Sequence, residues 1–176
     1  MEIRIPKCEK GIGHVILKPD SPHRIDGVVA HPAALWPDDR GYFQEVGRFG
    51  QGLLKSFPAA STQVSAALSY PGTIKAFHFH RHQTDVWCPV AGMLQVALVD
   101  LRPDSATFGV RNTLYVGTLR PWHLVVPPGV GHGYKVLGQE PAVLVYCTDR
   151  IYNPEDEGRI AYNDPGIQYD WELQHK

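Results

Sequence analysis

Cysteine is scarce: three in 176 residues, Cys8, Cys88 and Cys147, set far apart. An odd, scattered set argues against a disulfide framework, offers no C-x-x-C pair for a thiolate zinc site, and fits a reducing, cytoplasmic setting. No run of eighteen apolar residues occurs, so no helix is expected to cross a bilayer. The opening stretch MEIRIPKCEK has no apolar signal core. Neither sign of charge dominates. With 17 Lys+Arg against 18 Asp+Glu, the net charge is −1, which speaks against a nucleic-acid or membrane surface and leaves room for a local basic pocket holding a small anion. Helical patterning is also thin. The one fair stretch, residues 46–57 (VGRFGQGLLKSF), is weakened by its glycines.

What is present is β structure in short pieces. The 17 Gly and 15 Pro are spread along the chain. They close runs rich in Val, Ile, Leu, Tyr and Trp, among them RIDGVVAHP, TDVWCPVAGMLQVALVDL, TLYVGTL, HLVVPPG and AVLVYCT. MLQVALVDL alternates in part, as a half-buried strand does. The polar end, NPEDEGRIAYNDPGIQYDWELQHK, reads as loops with one strand. Many short strands predict an all-β barrel or double-sheet jelly roll with few short helices, in a single domain over residues 1–176. The length is enough to enclose a sizeable core.

The segment GTIKAFHFHRHQTDVWCPVAG, residues 72–92, concentrates the chemistry. In a strand His78, His80 and His82 share one face. Asp85 falls on the other unless a turn at RHQT intervenes. A metal ion needs three or four imidazoles and carboxylates converging at about 2.0–2.2 Å, and one H-x-H supplies two. A further imidazole is available at His132, just after the Pro-Gly turn of PPGVGHGY, where a side chain is easily aimed inward. The bland alternative is a surface strand with chance histidines, since the chain has 9 of them.

These residues resemble a cupin. Gly72, His78, His80, Asp85 and Gly92 follow the first cupin motif, G-x5-H-x-H-x4-E-x6-G, with Asp in the Glu place. Pro127, Gly129 and His132 follow the core of the second, P-x-G-x2-H. More specifically, the chain is similar to the dTDP-4-dehydrorhamnose 3,5-epimerase family. DDRGYFQE resembles its D-x-R-G-F-F-x-E, GTIKAFH its G-V-L-R-G-L-H, and VALVDLRPDSATFG its V-A-V-D-L-R-x-x-S-P-T-F-G. VPPGVGHGY resembles its P-x-G-x-A-H-G-F. VYCTDRIYNPEDEGRIAYNDP resembles its Y-K-x-T-x-Y-Y-x-P-x-x-E-x-x-I-x-W-N-D-P. The resemblance implies a cupin jelly roll, a homodimer, and a nucleotide-linked 4-keto-6-deoxy sugar as substrate. The C4 carbonyl of such a sugar acidifies the protons on C3 and C5. By resemblance the base falls on His78 and the acid on Tyr146, with His132 beside the base. Arg40, Phe43, Glu45, Gln63 and Lys75 would hold the nucleotide and its diphosphate, Tyr152 would line the sugar site, and no cofactor is implied.

Three positions depart from that pattern. The lysine that stabilises the enolate oxygen in the family is Asp85 here, and an anion opposes a developing anion. No counterpart is visible for the C-terminal carboxylate that supports the family's base. A diphosphate-binding arginine is Lys75, which lacks the bidentate fork. An alternative therefore stands beside the epimerase: a metal-dependent isomerase, lyase or oxygenase, with Zn, Ni, Fe or Mn held by His78, His80, Asp85 and His132. The two readings compete for His78, because a lone pair on a metal cannot also take a proton. A non-catalytic module binding a sugar nucleotide or a metal is the third reading.

Overall fold

A computed structural model describes residues 1–174. Two sheets pack face to face. The first has six strands in the order β1 (His14–Val15), β9 (Arg111–Gly117), β8 (Met93–Asp100), β11 (Val130–Leu137), β6 (Ile74–His80) and β13 (Glu157–Arg159). The second has five: β2 (Val29–Pro32), β10 (Trp122–Val126), β7 (Asp85–Ala91), β12 (Ala142–Thr148) and β5 (Gln63–Ser69). A separate hairpin, β3 (Leu35–Asp38) with β4 (Gly41–Gln44), stands apart from both. This is the expected jelly roll. The 46–57 stretch does not become a regular helix; only Gly52–Leu54 takes a short 3₁₀ turn, in keeping with the cost of glycine in a helix.

Alternation explains the layers. Leu94, Val96 and Leu98 of β8 meet Leu124 and Val126 of β10 between the sheets. Each such buried side chain contributes roughly 1.5–3 kcal/mol. The other face of β8, with Ala97 and Val99, is buried as well. MLQVALVDL is therefore not the half-buried strand its pattern suggests. The outer face of its sheet is covered by Ile12 near the N-terminus and by Ile160, Ile167, Tyr169 and Trp171 near the C-terminus. The polar C-terminal stretch thus carries the one expected strand, β13, and a buried apolar stripe. The second sheet is backed by a smaller cluster of Leu54, Phe57, Val86, Cys88 and Cys147.

Two of the segments that carry the family resemblance hold loops. The buried Asp100 carboxylate accepts from Arg102 Nε at 2.8 Å, Ser105 Oγ at 2.6 Å and Thr107 Oγ1 at 2.6 Å, which fixes the DLRPDSATFG loop. Asp164 Oδ1 accepts from the backbone N–H of Gly166 and of Ile167, which fixes the NDPG turn.

Candidate active site

Strand β6 has two faces. Phe77 and Phe79 point into the outer cluster, so His78 and His80 point between the sheets. The strand ends at His80. Residues 81–84 turn, held by Asp156, whose carboxylate accepts from the N–H of Arg81 and of Gln83, both at 3.1 Å. Asp149 adds a bond from Thr84 N–H at 2.9 Å. The turn returns the chain as β7 with Asp85 facing the histidines, as the spacing required. His82 lies in the turn and is exposed; it does not share the face of His78 and His80, because the strand has already ended.

His132 comes from β11, where it stands opposite His78 in register. The turn before it needs Gly129. Its φ is +78°, and a Cβ there would lie 2.4 Å from Arg102 Cγ. At Gly133 a Cβ would lie 2.3 Å from Ala76 Cβ, so β11 and β6 approach closely there. The register also slips at this point, from His132↔His78 to Tyr134↔Lys75, two residues against three. The slip brings Lys75, which simple alternation would put on the Phe77 face, to the cavity side.

One cavity of about 210 Å³ results. His78, His80, Asp85, His132, Tyr146 and Glu157 line it, as do Gln63, Lys75 and Tyr152. Arg40, Phe43 and Glu45 do not reach it. The first two lie on the hairpin and Glu45 follows it, and Phe43 is 66% exposed. Arg40 bonds Asp38 at 2.5 Å and Glu45 bonds Arg48 at 2.8 Å, so each has the local ion pair that exposed charges commonly find. Within one chain, the hairpin's separation from both sheets keeps these three away from the cavity.

At the cavity floor Asp85 is buried. It accepts from Gln83 Nε2 at 2.8 Å and from Trp87 Nε1 at 3.2 Å. His80 Nε2 is 4.0 Å from Asp85 Oδ1, and His132 Nε2 is 3.8 Å from Asp85 Oδ2. His132 Nδ1 lies 3.0 Å from the Val130 carbonyl. A carbonyl can only accept, so that nitrogen carries the proton and Nε2 offers a lone pair toward Asp85. Burial pushes the His132 imidazole down to about 4, against the pull of Asp85. His78 is also lowered, first by burial, and Glu157 opposes that shift.

The metal quartet is not assembled as the sequence suggested. His80, Asp85 and His132 group together, with ligand atoms within 4.8 Å of one another, and His78 stands outside the group. Ligands about 2.1 Å from one ion stand about 3.0–3.4 Å apart. The separations of 3.8 and 4.0 Å instead suit groups that each hydrogen-bond one shared oxygen at about 2.8 Å. The recess fits a water or a hydroxyl better than a coordinated ion.

A profile of the family described as dTDP-4-dehydrorhamnose 3,5-epimerase matches residues 22–176. The chain belongs to that family. It is 43% identical over 154 residues to the spore coat polysaccharide biosynthesis protein SpsL of Bacillus subtilis strain 168, covering 86% of this chain and 99% of that one. To the dTDP-4-dehydrorhamnose 3,5-epimerase of Escherichia coli K12 it is 30% identical over 154 residues, covering 84% and 81%. Among solved structures, it is similar to the dTDP-6-deoxy-D-glucose-3,5-epimerase of Legionella pneumophila in complex with dTDP-4-keto-L-rhamnose. There the identity is 26%, the TM-score 0.73, and the coverage 87% of this chain and 82% of that one. Membership of this family of isomerases and the jelly-roll fold agree with the sequence reading.

Sequence reasoning gave no role to Gln83, Trp87, Tyr134 or Thr148, all of which line the cavity, nor to Glu157. Gln83 and Trp87 lie two residues either side of Asp85, a spacing that puts all three on one face of an extended chain. Glu157 is the Glu of the motif in NPEDEGRIAYNDP. No local pattern tied it to His78.

Proposed function

We propose that this protein epimerises a nucleotide-linked 4-keto-6-deoxy sugar carried on dTDP, with His78 as the base and Tyr146 as the acid. The observation that carries this reading is the opposed pair. His78 from one sheet and Tyr146 from the other line the same enclosed cavity, so a ring carbon lying between them is open to proton removal on one face and delivery on the other. His78 takes the proton from C3 or C5, the C4 carbonyl accepts the electron pair as an enolate, and Tyr146 returns a proton from the opposite side. Imidazole is suited to this near neutrality, and its lowered basicity keeps it neutral and ready to accept. Lys75 is the one Lys or Arg lining the cavity among the described residues, and it meets negative charge on the substrate. Gln63 and Tyr152, joined by a 3.1 Å bond from Tyr152 N–H to Gln63 Oε1, form the cavity mouth.

The working unit in this proposal is a homodimer. Arg40, Phe43 and Glu45 are substrate-binding by resemblance yet stand outside their own chain's cavity, and the hairpin exposes Trp36 at 54% beside Phe43. A hairpin that docks on a second copy would bury that apolar surface and deliver Arg40 to the partner's substrate. The free state of Cys8, Cys88 and Cys147 supports a cytoplasmic setting. No helix among the described residues is long and apolar enough to cross a membrane.

The test is solvent exchange. Incubated in D₂O with dTDP-4-keto-6-deoxyglucose, the protein should bring deuterium into C3, C5 or both, read by mass spectrometry and NMR. No incorporation at either carbon would overturn the assignment.

A further inference from the structure

We propose that Asp85, His80 and His132 form a specificity recess at the cavity floor that takes a hydrogen-bond-donating substituent of the sugar, a hydroxyl or an amino group, and turns the keto oxygen away. The proposal rests on the nucleotide-sugar reading above and adds which part of the sugar faces the floor.

The recess is buried and held from several sides. Asp85, His80 and His132 are 4%, 8% and 3% exposed, and all three line the cavity. Trp87 ties two of them together. Its Nε1 donates to Asp85 Oδ2 at 3.2 Å, and its ring stands perpendicular to that of His132, with centroids 5.2 Å apart. Gln83 Nε2 donates to the other carboxylate oxygen at 2.8 Å. The His80 and His132 rings stack at 5.6 Å. Side chains locked in this way are in place before a ligand arrives.

Its hydrogen-bonding capacity points one way. His132 Nδ1–H donates to the Val130 carbonyl, which leaves Nε2 a bare acceptor. The Asp85 carboxylate is an acceptor too, and each oxygen has one donor and a lone pair to spare. Oδ2 faces His132 Nε2 at 3.8 Å and Oδ1 faces His80 Nε2 at 4.0 Å, too far for a direct bond. Among the described residues no Lys or Arg nitrogen comes within 4.0 Å of this carboxylate, so no fixed cation offsets its burial. Two buried acceptors that face each other are satisfied by a donor between them. A sugar hydroxyl or amine brings that proton. A carbonyl or enolate oxygen would bring a third acceptor. The resemblance would put a lysine at position 85, a donor suited to an enolate oxygen. Here the polarity of the floor is reversed, so the keto oxygen lies off the floor and another substituent of the ring lies on it.

The experiment measures binding of dTDP-6-deoxyglucose, which has no ketone and cannot turn over, beside its 2-, 3- and 4-deoxy analogues. Calorimetry should show one deoxy analogue binding wild type about a hundredfold more weakly than the parent, because the lost donor leaves buried acceptors unmet. The amino analogue at that carbon, bound tighter or weaker than the parent, assigns the donor to an amine or to a hydroxyl. In Asp85→Leu the penalty for that deoxy analogue should shrink below about tenfold. Should that variant not fold, Asp85→Asn, which gives the floor a donor, should shrink it as well. Deoxy analogues that all bind wild type as tightly as the parent would overturn the proposal and leave a water as the occupant. A penalty that persists unchanged in the Asp85 variant would also overturn it, as would one equivalent of a divalent metal in the purified protein that Asp85→Asn loses. Binding of dTDP-6-deoxyglucose without any deoxy penalty leaves the nucleotide-sugar reading standing; no binding of dTDP or of dTDP-6-deoxyglucose would overturn both.

Discussion

The wall of the cavity and the β3–β4 hairpin hold the side chains proposed to act on the substrate in different ways. His78 and His132 sit on neighbouring strands of one sheet, with Tyr146 on the facing one, and packing and register fix their positions before any ligand arrives. Arg40 and Phe43 sit on a ribbon whose strands pair only with each other. Few contacts hold the ribbon to the body: the Tyr42 hydroxyl donates to the Val90 carbonyl, and Gln44 bonds His123 at 3.0 Å. The comparison teaches that reacting groups belong on rigid, doubly paired strands. Groups that grip a distant part of a substrate can ride on an element completed by another surface.

The sharpest way to test the first half of this contrast is His78→Asn. Turnover should fall about a thousandfold or more, with circular dichroism and thermal melting near wild type, because His78 faces a cavity and carries little of the core. Near-normal turnover would remove it from the mechanism. Tyr146→Phe should cost less, about a hundredfold, and differently. Deuterium exchange should persist through His78 while epimer formation drops, because the proton can be taken but not returned from the opposite face. Equal loss of both signals would count against an acid role.

The hairpin half is tested by mixing chains. Arg40→Ala alone should raise KM roughly tenfold, the scale of one charge-assisted contact to a phosphate. Unfolding and refolding it together with His78→Asn should do more. In a mixed dimer the site with an intact His78 receives an intact Arg40 from its partner, so about one site in four should recover full activity. A mixture no better than the mean of its parents would leave Arg40 serving its own chain or no site at all.

Much of this was legible in the residues, and the exceptions share a cause. Strand alternation and the spacing of Pro and Gly carry the jelly roll, and G-x5-H-x-H with P-x-G-x2-H brings His78, His80 and His132 into one cavity. The need for a turn before Asp85 follows from the period of a strand alone. What was not legible depends on pairing between distant segments. MLQVALVDL reads as half buried because nothing in it announces that Ile160, Ile167 and Trp171 cover its second face. Lys75 enters the cavity through a register slip that only the β6–β11 pair defines. Glu157 comes to lie opposite His80 and to line the cavity across some eighty residues of chain. Of the metal quartet, distance groups His80, Asp85 and His132 and leaves His78 apart, a quantity that ligand types alone do not fix.

The mildest test concerns how the hairpin is fastened. Gln44 Nε2 can only donate, so His123 Nε2 must be the acceptor and the imidazole neutral. Burial pushes His123 down to about 4, and neighbouring His31 adds to the shift. In the unfolded or undocked chain this histidine takes up a proton near pH 6.5. The folded value lies below the unfolded one, so the contact is fully stable above about pH 6.5 and weakens as pH falls toward 4. Protonation also turns the acceptor into a donor, and the Gln44 bond is lost. Hydrogen exchange of residues 35–44 should therefore speed up severalfold between pH 6.5 and pH 4.5 after correction for the intrinsic rate, while the strands β6 and β11 stay protected. His123→Gln should flatten that dependence. If the hairpin and β6 loosen together, the two regions are one cooperative unit and the mechanical distinction between them does not hold.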